Sequence, residues 1–164
     1  MCQTTAFDAI RKKYRVWQKY AFRKMGVLGV SPTYVYSHEN PDNCHPHVNW
    51  VVHVPACLES EFRRKLSAWV SKVQGDIGPF DIKLKHVTAE KGLGKYIVKG
   101  ADPEVMAHFH LDNSVAPQGD VFGKRAGHSP SIGLTERKKV GFNRYMRREW
   151  KRSVEYQQSF IKAA

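Results

Sequence analysis

The chain has 164 residues, of which 41% are hydrophobic and 12% aromatic, and it carries a formal net charge of +12. That much apolar material can bury a core without disulfide staples, which excludes a disordered tail or a cystine-rich scaffold. The basic excess points to a polyanionic partner, most simply nucleic acid, and no apolar run approaches the length of a membrane span.

One domain is expected over 1–164, with a basic helical segment from about residue 123 to the end. The three cysteines, Cys2, Cys44 and Cys57, lack the spacing of a zinc ribbon and read as reduced thiols. No leader pattern opens the sequence, so a place in bacterial cytoplasm, or in the cytoplasm of a virus's host, is expected. Thr5 to Lys24 has the period of a helix, with Phe7, Ile10, Tyr14, Trp17 and Ala21 on one stripe. Thr33 to Glu39 and His45 to Val54 are rich in strand formers, and Asn40-Pro41-Asp42-Asn43 between them is turn chemistry, which predicts a hairpin. Leu58 to Val73 predicts a second amphipathic helix with Phe62, Leu66, Trp69 and Val73 inward. Asp81 to Val87 alternates polar and apolar and predicts a third strand. Short helices are expected over Gly92–Lys99 and from Asp102 to about Leu111, a loop over Asn113–Ser131, and a long basic helix from Thr135. Hairpin strands with helices packed on one face indicate an α+β fold with a small antiparallel sheet.

The second strand carries the first chemical signal. Side chains alternate along a strand, so Pro46, Val48, Trp50, Val52 and Val54 form a wholly apolar face, while His45, His47, Asn49 and His53 share the other. Same-face neighbours lie about 7 Å apart, close enough for two imidazoles to converge on one ion at about 2.1 Å from each nitrogen. The preceding strand offers Glu39 or His38 as a further ligand, and a carboxylate beside histidines suits Mg²⁺ or Mn²⁺. His108 and His110 repeat the spacing on an expected helix, where residues two apart point away from each other.

Lys95-Tyr96-Ile97-Val98-Lys99 carries the second signal. On a helix, Tyr96 and Lys99 share a face. A phenol loses its proton only near pH 10, roughly, and becomes a useful nucleophile where a cation or metal polarises the phosphate it attacks. Lys99 can supply that charge and Lys95 can contact phosphate.

A His-hydrophobic-His strand followed by Tyr-x-x-Lys resembles the HUH endonuclease superfamily, which contains rolling-circle replication initiators, relaxases and related transposases. The run from Lys95 to Asp102 is similar to the tyrosine motif of plasmid and phage initiators, and the resemblance covers Tyr34 to Asp102. It implies a palm-like sheet. It implies a divalent ion on His45 and His47, with Glu39 or His38 completing the set. It further implies Tyr96 as the nucleophile on single-stranded DNA, at an origin or hairpin, leaving a 5′-phosphotyrosine and a free 3′-hydroxyl that can rejoin the strands. The function so implied is site-specific nicking that initiates rolling-circle replication of a plasmid or phage. A transposase or relaxase of the same class, and a non-catalytic nucleic-acid-binding module that retains the fold, stand beside it. No Gly-x-x-x-x-Gly-Lys-Ser motif is present, so unwinding would fall to a host helicase. Three features depart from the family's pattern. Pro46 separates the histidines, so the pair could instead be His47 with Asn49. No first strand precedes the hairpin, and only one tyrosine motif is present.

The C-terminal stretch is strongly basic. Lys124 and Arg125 lie among glycines, and Arg137, Lys138, Lys139, Arg144, Arg147 and Arg148 crowd the expected long helix. These are the expected contacts to the DNA backbone.

Overall fold

The computed structural model describes residues 3–24, 31–88, 93, 97, 99–100, 107 and 116–141. The chain divides into two compact units, Met1–His128 and Ser129–Ala164.

In the first unit, helix α1 (Gln3–Lys24) buries Phe7, Ile10, Tyr14, Trp17 and Ala21, the stripe that helical spacing predicts, together with Phe22. Strands β1 (Tyr34–Glu39) and β2 (His47–Val52) form an antiparallel hairpin in which Tyr34 faces Val52, Tyr36 faces Trp50 and Glu39 faces His47. The connection is a short 3-10 turn, Pro41–Asn43, with Asp42 and Asn43 at φ 56° and 58°. Asp and Asn tolerate this left-handed region better than other side chains, so the turn sequence and its backbone agree. Helix α2 (Glu59–Gln74) follows a turn of 3-10 helix at Ala56–Leu58 and ends at Gly75, whose φ of 92° suits glycine.

Both helices pack on one face of the sheet. The core is an aromatic cluster: Tyr14 meets Trp50 edge-on at 5.0 Å between centroids, Phe62 lies 5.7 Å from Trp17, and Phe7 lies 4.9 Å from Tyr36. Val48, Trp50, Val52 and Val54 of the apolar face of β2 pack against this cluster. The fold is α+β, with an open three-stranded antiparallel sheet.

Three expectations need correction. The third strand is Ala126–His128 (β3), which pairs antiparallel with β1 to give the order β2-β1-β3. It falls inside the stretch expected to be loop, because it has three residues and two of them, Ala126 and Gly127, are poor strand formers. The packing explains the glycine: a Cβ on Gly127 would lie 2.6 Å from the Tyr36 hydroxyl and 2.8 Å from its ring. Asp81–Val87, the expected strand, forms no ladder, and Phe80, Leu84 and Val87 are solvent-exposed. Its alternation is real, but it joins neither edge of the sheet, β3 takes the place beside β1, and only Ile82 of the run packs against the core. Finally, β2 begins at His47 rather than His45, because Pro46 has no N–H to give to a ladder.

A segment at 116–125 closes along the edge of β1 beyond β3. The amide of His38 donates to the Arg125 carbonyl (2.7 Å) and the amide of Asn40 to that of Gln118 (2.9 Å). Asn43 Oδ1 accepts from the amide of Asp120 (2.7 Å). Gly119 has φ 59°, and a Cβ there would collide with the Asn40 carbonyl oxygen at 1.8 Å.

In the second unit, a 3-10 turn at Pro130–Ile132 precedes a short helix, Leu134–Lys139. The long basic helix expected from Thr135 instead stops at Lys139, with Val140 and Gly141 in a turn and Gly141 at φ 80°, and residues past 141 lie outside the described residues. The expected helices at Gly92–Lys99 and Asp102–Leu111 also lie mostly outside them, although positions 93, 97 and 107 are helical.

Candidate metal and nucleic-acid site

Antiparallel pairing places directly opposed side chains on the same face of a sheet. Glu39 and His47 are the pair nearest the hairpin turn, and they face away from α1 and α2. Glu39 Oε2 lies 3.3 Å from His47 Nε2. The Glu39 side chain is 2% exposed and that of His47 44% exposed. The other carboxylate oxygen, Oε1, is buried and has no hydrogen-bond partner among the described residues.

The imidazole is oriented from behind. His47 Nδ1 lies 3.0 Å from the carbonyl oxygen of His45. A carbonyl can only accept, so Nδ1 donates to it and Nε2 is the ring nitrogen turned toward Glu39. A proton on Nε2, or a cation held between the two groups, would join the carboxylate to the ring across this 3.3 Å. Two ligands about 2.1 Å from one ion and at right angles are about 3.0 Å apart, so the observed spacing fits a shared divalent cation. The backbone hydrogen bond at Nδ1 is the usual support of a ligating histidine. From α1, Gln3 Nε2 hydrogen-bonds the carbonyls of His47 and Glu39 and ties the ends of both strands together.

The other expected ligands lie elsewhere. His45 precedes the strand, is largely exposed, and turns its Nδ1 to Asp42 at 3.1 Å. His38 is 1% exposed and packs edge-on to Phe7 (5.4 Å) and Tyr36 (5.5 Å), on the opposite face from Glu39. Burial among these rings lowers its pKa below the ordinary histidine value, with nearby Arg11 and Arg125 acting in the same direction against Asp8. Asn49 shares the face of His47 and stands opposite Ser37, one same-face position further from the turn. Among the described residues no group of three His, Cys, Asp or Glu gathers to hold a metal. The pair Glu39–His47 thus offers two protein donors, and Mg²⁺ in particular often keeps waters at its remaining positions.

Tyr96 and Lys95 lie outside the described residues, as do Arg144, Arg147 and Arg148. Lys99 is described: its carbonyl accepts from the amide of Ala116 (3.1 Å). The adjoining Gly100 sits against Gln118 and the Arg125 guanidinium. Because Gln118 bonds to Asn40, the residue after Glu39, the Lys99–Gly100 backbone is tied through one intervening segment to the end of β1 that carries the carboxylate. Arg125 gives its guanidinium to the carbonyls of Gly119 (2.6 Å) and Gln118 (3.4 Å), so it braces that segment. Lys124 is exposed. In the second unit, Arg137, Lys138 and Lys139 are exposed on the short helix, and Lys139 is ion-paired to Glu136 at 2.8 Å.

Sequence reasoning missed the partnership of His45 with Asp42 and the role of Gln3. The first had a signal, since an Asp three residues before a His across a Pro-initiated turn can fold back onto it. The second had none, because it depends on where α1 docks. Cys44 and Cys57 are free and exposed, and Cys2 lies outside the described residues. No helix among the described residues is long and apolar enough to cross a membrane. Comparison with protein-family models, with curated proteins and with solved structures finds no match.

Proposed function

We propose that this chain is a metal-dependent endonuclease and strand transferase acting on single-stranded DNA, with Tyr96 as its nucleophile. The observation that carries the proposal is the buried Glu39 carboxylate, with one oxygen unpartnered among the described residues and the other 3.3 Å from Nε2 of His47, whose Nδ1 is held by a backbone carbonyl. Glu39 and His47 would hold the divalent ion, which when bound polarises the scissile phosphate and offsets charge that builds on its oxygens. The Tyr96 oxygen forms a bond to phosphorus as the bond from phosphorus to the 3′-oxygen breaks. The phenolic proton is lost to solvent or a base, and the departing 3′-oxygen takes up a proton. Reversal restores the strand, so no nucleotide is consumed. Lys99 would sit beside the reacting phosphate, a role supported by the tie from its backbone to the end of β1. The basic excess of the chain favours the polyanionic substrate. Initiation of rolling-circle replication on a plasmid or phage is the use we favour.

The test is covalent capture: the protein is mixed with cognate single-stranded DNA and Mn²⁺ and run on a denaturing gel. A protein–DNA adduct is expected, absent in Tyr96→Phe and strongly reduced in Glu39→Gln. A second reading, a DNA-binding module without catalysis, is favoured by the gathering of only two metal-type donors among the described residues. DNA binding with no adduct on the cognate strand, in either metal, decides for it.

A further inference from the structure

We propose that the groove between α1 and α2 is a binding track for single-stranded nucleic acid, on the opposite face of the sheet from Glu39 and His47. This goes beyond the endonuclease reading, since it requires neither a metal nor a tyrosine nucleophile. The groove has a volume of about 680 Å³. Lys12, Lys13 and Lys24 from α1 and Lys65 from α2 line it. Among the described residues none of the four makes an ion pair. The lining contains one acid, Glu61, and its Oε1 accepts a hydrogen bond from Trp17 Nε1 at 2.8 Å. The carboxylate is therefore held to the groove wall, and the lining carries four ammonium groups against this one acid, with Lys12 and Lys24 exposed and Lys13 and Lys65 half-buried.

The aromatic groups set the class of ligand. Tyr20 lines the groove and is 64% exposed, so its ring face is open to a ligand. Trp69 lines the other wall and is held by Trp17 at 5.9 Å and Phe62 at 6.3 Å. Lysines for phosphates and aromatic faces for unstacked bases are the two requirements of single-strand binding. The spacing agrees. Lys12, Val16, Tyr20 and Lys24 recur every four residues and form one stripe along α1. At about 1.5 Å per residue the stripe is about 18 Å long, enough to follow several nucleotides of a strand. A flat membrane surface would not enter a groove, and an acidic peptide would have no use for two aromatic walls.

The experiment measures fluorescence anisotropy of a dye-labelled oligothymidylate in EDTA, where no metal-dependent cleavage can occur. Lys12→Gln/Lys13→Gln/Lys65→Gln should weaken binding and reduce the slope of log K against log salt by about 2, since each phosphate contact on a single strand contributes about 0.7. Tyr20→Ala should lose about tenfold or more in affinity, with little change toward heparin, which has no bases to stack. Wild-type slope in the lysine variant, or wild-type oligothymidylate affinity in Tyr20→Ala, with circular dichroism showing both folded, overturns the proposal. So does equal loss toward oligothymidylate, heparin and phosphatidylserine vesicles, which would indicate a general polyanion surface. The lysine variant should keep any Mn²⁺-dependent rise in melting temperature. A protein that binds through the groove but forms no covalent adduct leaves the track standing and removes only the endonuclease reading.

Discussion

Replacing Glu39 by Gln separates the metal reading of the Glu39–His47 pair from a plain ion pair, because the two predict opposite behaviour without metal. The carboxylate is 2% exposed, its Oε1 has no partner among the described residues, and its Oε2 faces His47 Nε2 at 3.3 Å. If a divalent ion fills that gap, the metal-free protein holds a buried charge at a cost, and Glu39→Gln relieves it. The introduced amide keeps the shape and can donate a hydrogen bond to His47 Nε2. Stability in EDTA should then stay within about 1 kcal/mol of wild type or rise. Metal adds to the wild type only: an ion at a hundred times its dissociation constant stabilises by about 2.7 kcal/mol. For a chain of this length that is a rise of about 5–11 °C in melting temperature. The assay is thermal unfolding of both proteins in EDTA and across a Mn²⁺ and Mg²⁺ titration. The shift should be present in the wild type and absent in Glu39→Gln. Were the contact instead a structural pair with a protonated imidazole, the substitution would cost between the ~1 kcal/mol of a surface pair and the ~3–5 kcal/mol of a buried one. With His47 44% exposed, the lower half of that range applies. A wild type indifferent to both metals, with a variant that melts several degrees lower in EDTA at mildly acid pH, would refute the metal reading.

Gly127→Ala should lower stability by about 1–3 kcal/mol, since its Cβ would meet the Tyr36 hydroxyl at 2.6 Å and neither the strand nor the buried ring can yield freely. A urea midpoint equal to wild type would show that β3 does not hold its place against β1. Phe62→Ala removes the ring that contacts Tyr14, Trp17, Trp50 and Trp69, and a loss of about 3–5 kcal/mol is expected by the same measurement. The third concerns His38, whose pKa burial lowers below the ordinary value. The unfolded chain takes up a proton near pH 6.5, roughly, while the native ring resists it, so the unfolded state binds more protons and stability falls on acidification. The contribution is complete above about pH 6.5 and declines toward the lower native pKa, at no more than about 1.4 kcal/mol per pH unit. His38→Phe should flatten that part of the stability–pH curve, and an unchanged slope would mean that another group is responsible.

Local pattern carried far in this chain. The apolar stripe of α1, the turn at Pro41–Asn43 and the hairpin follow from residues close in sequence, so periodicity and turn chemistry foretold them, while the register, which sets Glu39 rather than His38 opposite His47, came from the structure. The candidate pair was legible for the same reason: Glu39 and His47 flank one turn, and alternation along the strands puts them on one face. His45 was misplaced by that alternation, because the ladder stops at His47, two residues short of the pattern, where Pro46 has no N–H to give.

What the chain specified by itself was its class: an amphipathic α+β domain with a core face, a histidine face and a large positive charge, all properties of nearest neighbours and composition. Tertiary structure alone settled which of two candidate segments joined β1. The alternating run at Asp81–Val87 joins none of the three strands, while Ala126–His128, poor in strand formers, fits beside β1 because Gly127 leaves room for the Tyr36 ring. It also decided that Glu39 is buried and His45 is not. Pairing across a hundred residues, and the loss of water around one carboxylate, depend on how distant segments fill space, and no local pattern records that.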